Sequence, residues 1–428
     1  MIRNRARARN ENSRQAIKPN AWALAAAVIC LVHVSTTWGV RCGDERPWPK
    51  SFELHLVDGR TIEGSLEELR PEWLVRLAGK ETALAREMEW LSLRRSHTKV
   101  PGSPTGEQII LANGDRLHGL VTRIVRDRLI LGPCCGSAAE MRIPLSSVSV
   151  IWIAPPQGTA DPLLLPRKLG FGRRRHDSVR LRNGDSLDGI VSAFDRDKQV
   201  RVKASQKEIV IDFDKVSAVA FSTELMRNVR PIQAYGHMVL RDGSRLSLAS
   251  LTLSAGRLTG RTMIGTDIDL PLSELVSLDL YHAGADYLSD QKPKKYEFRP
   301  YLGSLQWPYT YDSNVLGGDL LLAGSAYDKG VGMHSASRLS YDLQGKYRYF
   351  ETLVGLDSHS EREGSARVQV WVDGKPRLDR HQEVTAKSQP LSIREEIAGA
   401  NELILEVDFG SYGDVQARVN WGAARVIR

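Results

Sequence analysis

Cysteine is scarce, with four residues in 428. Cys30 falls in an apolar run near the amino terminus, which leaves Cys42, Cys134 and Cys135. So few thiols exclude a disulfide-built scaffold, although one bridge from Cys42 to the 134/135 pair stays open. No Cys or His grouping has the spacing of a zinc site. Long apolar runs are missing too. AWALAAAVICLVHV, residues 21–34, is short for a helical membrane crossing, which takes about 20 apolar residues. The G-x-S-x-G, H-E-x-x-H and Walker-type signatures are absent. A glycosidase needs two carboxylates about 5–10 Å apart in a cleft, and no region is large enough for a separate catalytic barrel. The chain is therefore read as non-enzymatic.

Surplus charge of one sign is also lacking over most of the chain. The formal net charge is +8. Residues 1–39 hold Arg3, Arg5, Arg7, Arg9, Arg14 and Lys18 against Glu11, a net of +5 (6 − 1), which leaves about +3 for the remainder (8 − 5). That balance argues against nucleic acid as a partner. The basic head, the short apolar run and the small residues before a cut after Gly39 describe a secretory signal, with an uncleaved signal-anchor as the alternative. Arg41 beside Cys42 argues against a lipoprotein. Either reading makes residues 40–428 extracytoplasmic: secreted, periplasmic or anchored in the cell envelope. Membrane contact then runs only through an uncleaved anchor.

What the sequence does contain is a repeated unit. ELHLVDGRTIEG (53–64), QIILANGDRLHG (108–119), SVRLRNGDSLDG (178–189) and HMVLRDGSRLSL (237–248) align on Asp58-Gly59, Asn113-Gly114, Asn183-Gly184 and Asp242-Gly243. Such pairs predict two-residue hairpins with both central residues at positive φ. Apolar residues alternate before each turn and resume three residues after its glycine, at Ile62, Leu117, Leu187 and Leu246. This is period-2 burial of one strand face. A second glycine, Gly64, Gly119 or Gly189, predicts a strand bend; the fourth copy has Leu248 there. The reading is all-β, with four small bent-strand or barrel-like repeats at 50–98, 107–154, 177–223 and 236–282. Residues 155–176 read as an exposed linker that carries Arg173, Arg174 and Arg175, and 99–106 and 282–298 as further joints. The L-x-D-G-x-x-x-G pattern resembles the first motif of Sm-like small β-barrels over about a dozen residues per copy. The Asp-x-x-x-Asn that those proteins use on RNA is missing from three copies.

After residue 298 aromatics become denser and short strand signals recur, as in ARVQVWVDGK and NELILEVDFG, which suggests a sandwich. Five blocks, YLGSLQWPY, YDKGVGMHSASRLSYDL, YFETLVGLD, VQVWVDGK and LILEVDFGSYGDVQARVNWGAARV, resemble the NPCBM domain in order and spacing over 297–428. That domain is a carbohydrate-binding module type found on glycoside hydrolases, including family 98. The resemblance implies a jelly-roll-like β-sandwich that binds a glycan or polysaccharide. It implies a Lys-Gly-x-Gly-x-His signature at 329–334 that aims His334 at the ligand, with Asp357 as an acceptor. It also points to the last block, usually Asp-His-x-Asp-Trp, where Trp421 remains but Ala417, Arg418 and Asn420 replace the first Asp, the His and the second Asp, Asn420 keeping one acceptor. Loss of those residues weakens a ligand or structural calcium site; no other cofactor is expected. Trp371, on the polar face of its strand, is the stacking candidate. Each has a plainer reading: a structural hydrogen-bonder for His334 and Asp357, a packed ring for the tryptophans. The expectation is an exported glycan-binding protein whose repeats present the sandwich. The alternative is a scaffold that contacts other envelope proteins and has lost the sugar.

Overall fold

A computed structural model describes residues 49–428 except 80–82, 135, 138, 206, 228–230, 304–305, 361–363 and 380–381. The signal or anchor read in residues 1–39, and the Cys42 and Cys135 ends of the proposed bridge, lie outside the described residues. Those residues form 35 strands, one α-helix and five single-turn 3-10 helices, so the fold is all-β. No described helix is long and apolar enough to cross a membrane.

The repeat pattern sets the registers. Leu54 pairs with Ile62, Ile109 with Leu117, Val179 with Leu187 and Met238 with Leu246, one equivalent cross-strand pair per copy. All eight side chains join one continuous core. The turns differ from the expected two-residue form. Only the glycine takes positive φ, at 93°, 93°, 94° and 83° for Gly59, Gly114, Gly184 and Gly243. Its N–H donates to the carbonyl three residues back, and that residue's N–H bonds across to the residue after the glycine. This is a three-residue connection closed by a glycine bulge. The Asp or Asn serves another purpose: its side-chain oxygen accepts the N–H two residues on, as from Asp58 to Arg60 at 2.9 Å and from Asp242 to Ser244 at 2.8 Å.

Each repeat ends in a strand that returns to pair with its first: Trp90–Arg95, Val148–Trp152, Val216–Ala220 and Leu275–Tyr281. An unpaired strand edge is an exposed row of donors and acceptors, and here the repeats cover one another's edges. Leu278 of repeat 4 pairs with Leu93 of repeat 1, Ile151 of repeat 2 with Val219 of repeat 3, and Arg245 of repeat 4 with Arg116 of repeat 2. The spatial order is therefore 1-4-2-3, around one core rather than four private ones.

The expected joints are built-in pieces. Within 155–176, the helix Leu164–Phe171 lays Leu165 and Leu169, one turn apart, on Ile110, Val150, Trp152, Ala218 and Ala220. In 99–106, Val100 is buried and accepts from Ala326 N at 2.9 Å, and Ser103 N donates to Asp319 at 2.7 Å. In 282–298, Ala285–Tyr287 pairs with the end of the final strand, and Leu288 sits in the sandwich core.

The sandwich has two antiparallel sheets. One runs Thr310–Tyr311, Gly330–His334, Arg418–Ile427, Tyr349–Leu356, Leu391–Glu396; the other runs Lys295–Phe298, Ser337–Asp342, Glu402–Phe409, Ser365–Val372. Val368, Val370, Val372, Leu403, Leu405 and Val407 fill the space between them, as their alternation requires.

The described residues form one compact unit, in which the repeats pack directly on the sandwich. Arg245, almost wholly buried, bonds Asp328 at 2.6 Å, and His237 lies 3.4 Å from the same carboxylate. Glu351 accepts from His55 at 2.7 Å, Arg394 at 2.6 Å and Arg425 at 2.8 Å. Burial by itself pushes Asp328 up, but Arg245 and His237 outweigh it and hold the carboxyl well below the usual range. Burial likewise disfavours protonated His237, yet Asp328 raises it above the ordinary histidine value.

Candidate functional site

The segment Gly330–His334, which follows Lys329, forms an inner strand, paired with Thr310–Tyr311 on one side and Arg418–Ile427 on the other. A Cβ on Gly332 would stand 2.5 Å from both Ser313 O and Thr310 Oγ1. The glycine therefore lets the strand press against the 310–314 turn. This packing delivers His334 to the strand end, buried, its ring flat on Trp307 with centroids 4.5 Å apart and planes 3° apart. The Trp307 carbonyl accepts from the Tyr296 hydroxyl, which fixes that segment.

His334 Nδ1 lies 2.8 Å from Ser335 O. A carbonyl can only accept, so Nδ1 carries the proton and Nε2 is left as an acceptor in the neutral ring. Burial lowers the His334 pKa below its ordinary value, which keeps the ring neutral at pH 7. Trp307 and His334 line a hollow of about 260 Å³ together with Asp414, Gln416 and Arg418. Arg418 donates to His359 O at 3.2 Å and to Gln416. No hydrogen bond or ion pair engages the Asp414 carboxylate among the described residues. Tyr301, half exposed, lies against Gly413 beside this rim. The hollow thus offers an aromatic wall, an acceptor-only carboxylate, a donor-only guanidinium and two groups of mixed character, a set that matches hydroxyls able to donate and accept.

The other expected site residues are elsewhere. Asp357 is buried, and its oxygens accept from Asn314 at 3.1 Å, Asn420 at 2.7 Å, and the N–H and ring of His359, both at 2.8 Å. It is a hub that ties strands together and has no face for a sugar. Asn420 is fully buried, held by that bond and by Leu321 O at 3.2 Å. Trp421 is fully buried in the sandwich core. Trp371 stands on the other sheet, its N–H on Glu406 and Arg338 over its ring at 5.4 Å. Of the five, only His334 reaches the hollow. Burial corrects the other three candidates of its own sheet: the positions that carry the family pattern also carry the packing. Sequence reading missed Trp307, Asp414, Gln416 and Arg418 because more than a hundred residues separate the tryptophan from the rest. The only signal was their membership in two of the resembling blocks. No three His, Cys, Asp or Glu side chains gather as a metal cage among the described residues.

A second hollow, about 190 Å³, lies between repeat 1 and the sandwich. Of its two carboxylates, Glu351 is already met by His55, Arg394 and Arg425, which leaves it as interior joinery.

Solved structures similar to the chain include the CBM51 module from Clostridium perfringens GH95 in complex with methyl-galactose, at 27% identity over 33% of this chain and 99% of that one, TM-score 0.30. CBM51-2 with the INT domains of Clostridium perfringens ZmpB, in complex with GlcNAc, aligns at 21% identity over 42% of this chain and 37% of that one, TM-score 0.31. The tandem CBM51 modules of Sp3GH98, the family 98 glycoside hydrolase of Streptococcus pneumoniae SP3-BS71, align at 12% identity over 64% and 96%, TM-score 0.29. Among curated proteins none matches the chain. One family model matches, and it covers the sandwich from the strand that pairs with its last: residues 284–427 match the NPCBM/NEW2 domain.

Proposed function

We propose that the chain is an exported, non-catalytic carbohydrate-binding protein that takes a sugar in the hollow of Trp307, His334, Asp414, Gln416 and Arg418. The observation that carries this reading is the unpartnered Asp414 carboxylate beside a Trp307–His334 stack, inside a domain of carbohydrate-binding type. A pyranose presents an apolar ring face and a rim of hydroxyls, and the hollow supplies a counterpart to each. Such a shallow site yields about 4–6 kcal/mol, or millimolar to tens of micromolar binding. The extracytoplasmic setting rests on the basic and apolar character of residues 1–39.

The test is a titration of the full chain with galactose, N-acetylgalactosamine and N-acetylglucosamine by calorimetry, backed by a glycan array. His334→Ala is expected to weaken the best ligand about tenfold or more, by loss of a hydrogen bond and of the surface that backs Trp307. Affinity is also expected to depend on pH in one direction. Because the folded His334 pKa is depressed, binding stays level from neutral pH down through about 6.5, the ordinary histidine value. It falls only at lower pH, where protonation turns the Nε2 acceptor into a donor. A His334→Gln variant should lack this step. If no probe binds the full chain at millimolar concentration, the scaffold reading replaces this one. One observation favours that alternative: the Asp357–Asn420 bond seals the place where the family pattern carries acids, and Ala417 beside it is fully buried.

A further inference from the structure

Three of the four repeats use the outward face of their first hairpin to grip an acid of the sandwich. His55 of repeat 1 meets Glu351 at 2.7 Å, Arg116 of repeat 2 lies 3.6 Å from Asp319, and Arg245 of repeat 4 bonds Asp328 at 2.6 Å. Counted from the turn glycine, the same positions in repeat 3 are Arg180, in the place of His55, and Ser186, in the place of Arg116 and Arg245. Among the described residues no acid of the sandwich pairs with them. They line a hollow of about 530 Å³ between the hairpin, the strand Val216–Ala220, the end of the helix Leu164–Phe171 and the segment that follows it.

Lys168, Arg173, Arg174, Arg175 and Arg180 line this hollow, against the single carboxylate of Asp188. Arg174 is engaged by Phe221 O at 3.0 Å and Ser149 Oγ at 3.1 Å, and Arg175 reaches Glu224 only at 4.0 Å. Lys168, Arg173 and Arg180 have no ion pair among the described residues. On a chain whose mature part is close to neutral, this is a local concentration of unmatched positive charge, at the position where the sister copies receive a carboxylate.

We infer that the hollow of repeat 3 is a second binding site, for a saccharide that bears carboxylates, of the uronic acid class. Arg173 and Arg180 take the carboxylate; Arg180 stands where His55 of repeat 1 meets Glu351. Asp188 accepts sugar hydroxyls, alongside Ser178 and Ser186. A phosphodiester backbone has no donor to offer Asp188, and no Phe, Tyr or Trp lines the hollow to stack a base. Its apolar lining, Leu169, Ala218 and Ala220, is too slight for a protein hot spot. This site does not depend on the Trp307 hollow.

The test titrates the full chain with tri-galacturonic acid, and in parallel with a neutral galactose trisaccharide, a dT12 oligonucleotide and a glutamate-rich peptide. The expected result is binding of the uronate that weakens with added salt, drops at least about tenfold in Arg173→Ala/Arg180→Ala, and is unchanged in Trp307→Ala. Both arginines touch solvent, so the double variant should melt like the parent. A Lys168→Gln/Arg173→Gln variant gives the same comparison should it not. Absence of uronate binding, equal affinity for dT12 or for the peptide, or an indifferent double variant overturns the inference. Loss of neutral-sugar binding alone concerns the other hollow.

Discussion

Arg245→Met is expected to destabilise the folded chain by about 3–5 kcal/mol, the usual cost of stranding one member of a buried ion pair. Arg245 is 3% exposed, and its guanidinium bonds Asp328 together with the carbonyls of Pro101, Gly102 and Gly243. Its removal leaves Asp328 with His237, 3.4 Å away, as its remaining close partner across the seam between repeat 4 and the sandwich among the described residues. Denaturant unfolding measures the loss. The partner experiment is Arg245→Met/Asp328→Leu, which should recover much of it, because an apolar pair of similar volume often replaces a buried ion pair without net cost. A single variant within about 0.5 kcal/mol of the parent, the range of an ordinary surface change, would sink the claim that this seam holds the domain. The seam also sets a pH window. Asp328 is depressed, so its contribution is complete above about pH 3.9 and is lost as pH falls toward its folded value. His237 is raised, so its contribution is complete below about pH 6.5 and is lost as pH climbs through its folded value. Stability from the seam is therefore greatest between those limits.

Trp307→Ala should have the largest effect on sugar binding, a loss of about 2 kcal/mol or more, roughly thirtyfold. The indole supplies the hollow's wall and the surface against which His334 stacks; alanine removes both. Trp371→Ala is the control. That ring lies on the opposite sheet among Glu406 and Arg338, so the affinity should not change. If Trp371→Ala abolishes binding while Trp307→Ala leaves it intact, the sugar sits on the other face of the sandwich.

Much of the fold was legible because strand periodicity and turn chemistry are local. The alternation around Leu54, Ile109, Val179 and Met238 specifies which face is buried, and Asp-Gly or Asn-Gly marks where the chain reverses. The turn type was not legible: whether one or two residues take positive φ depends on the register that the strands adopt. The linker at 155–176 was misread because its Pro, Gly and Arg content masks Leu165 and Leu169. Their value appears only when a patch such as Trp152 and Ala218, from two different repeats, is assembled beneath them.

The candidate site divides in the same way. The Gly330-Val331-Gly332-Met333-His334 run announced itself, and its glycines have a local steric reason. Asp357, Asn420 and Trp421 also looked functional, yet one residue type serves either as a packed anchor or as an exposed ligand group. Burial alone distinguishes the two, and burial is a property of the assembled sheets. The sequence by itself determined an all-β chain with four copies of one hairpin and a C-terminal sandwich, since each rests on contacts between near neighbours. Tertiary structure decided that the copies stand in the order 1-4-2-3, that three of them clasp acids of the sandwich while the third stays open, and that Trp307 meets His334 and Asp414. Those outcomes depend on which strand edges and unpaired charges find one another across hundreds of residues, and no local pattern encodes that choice.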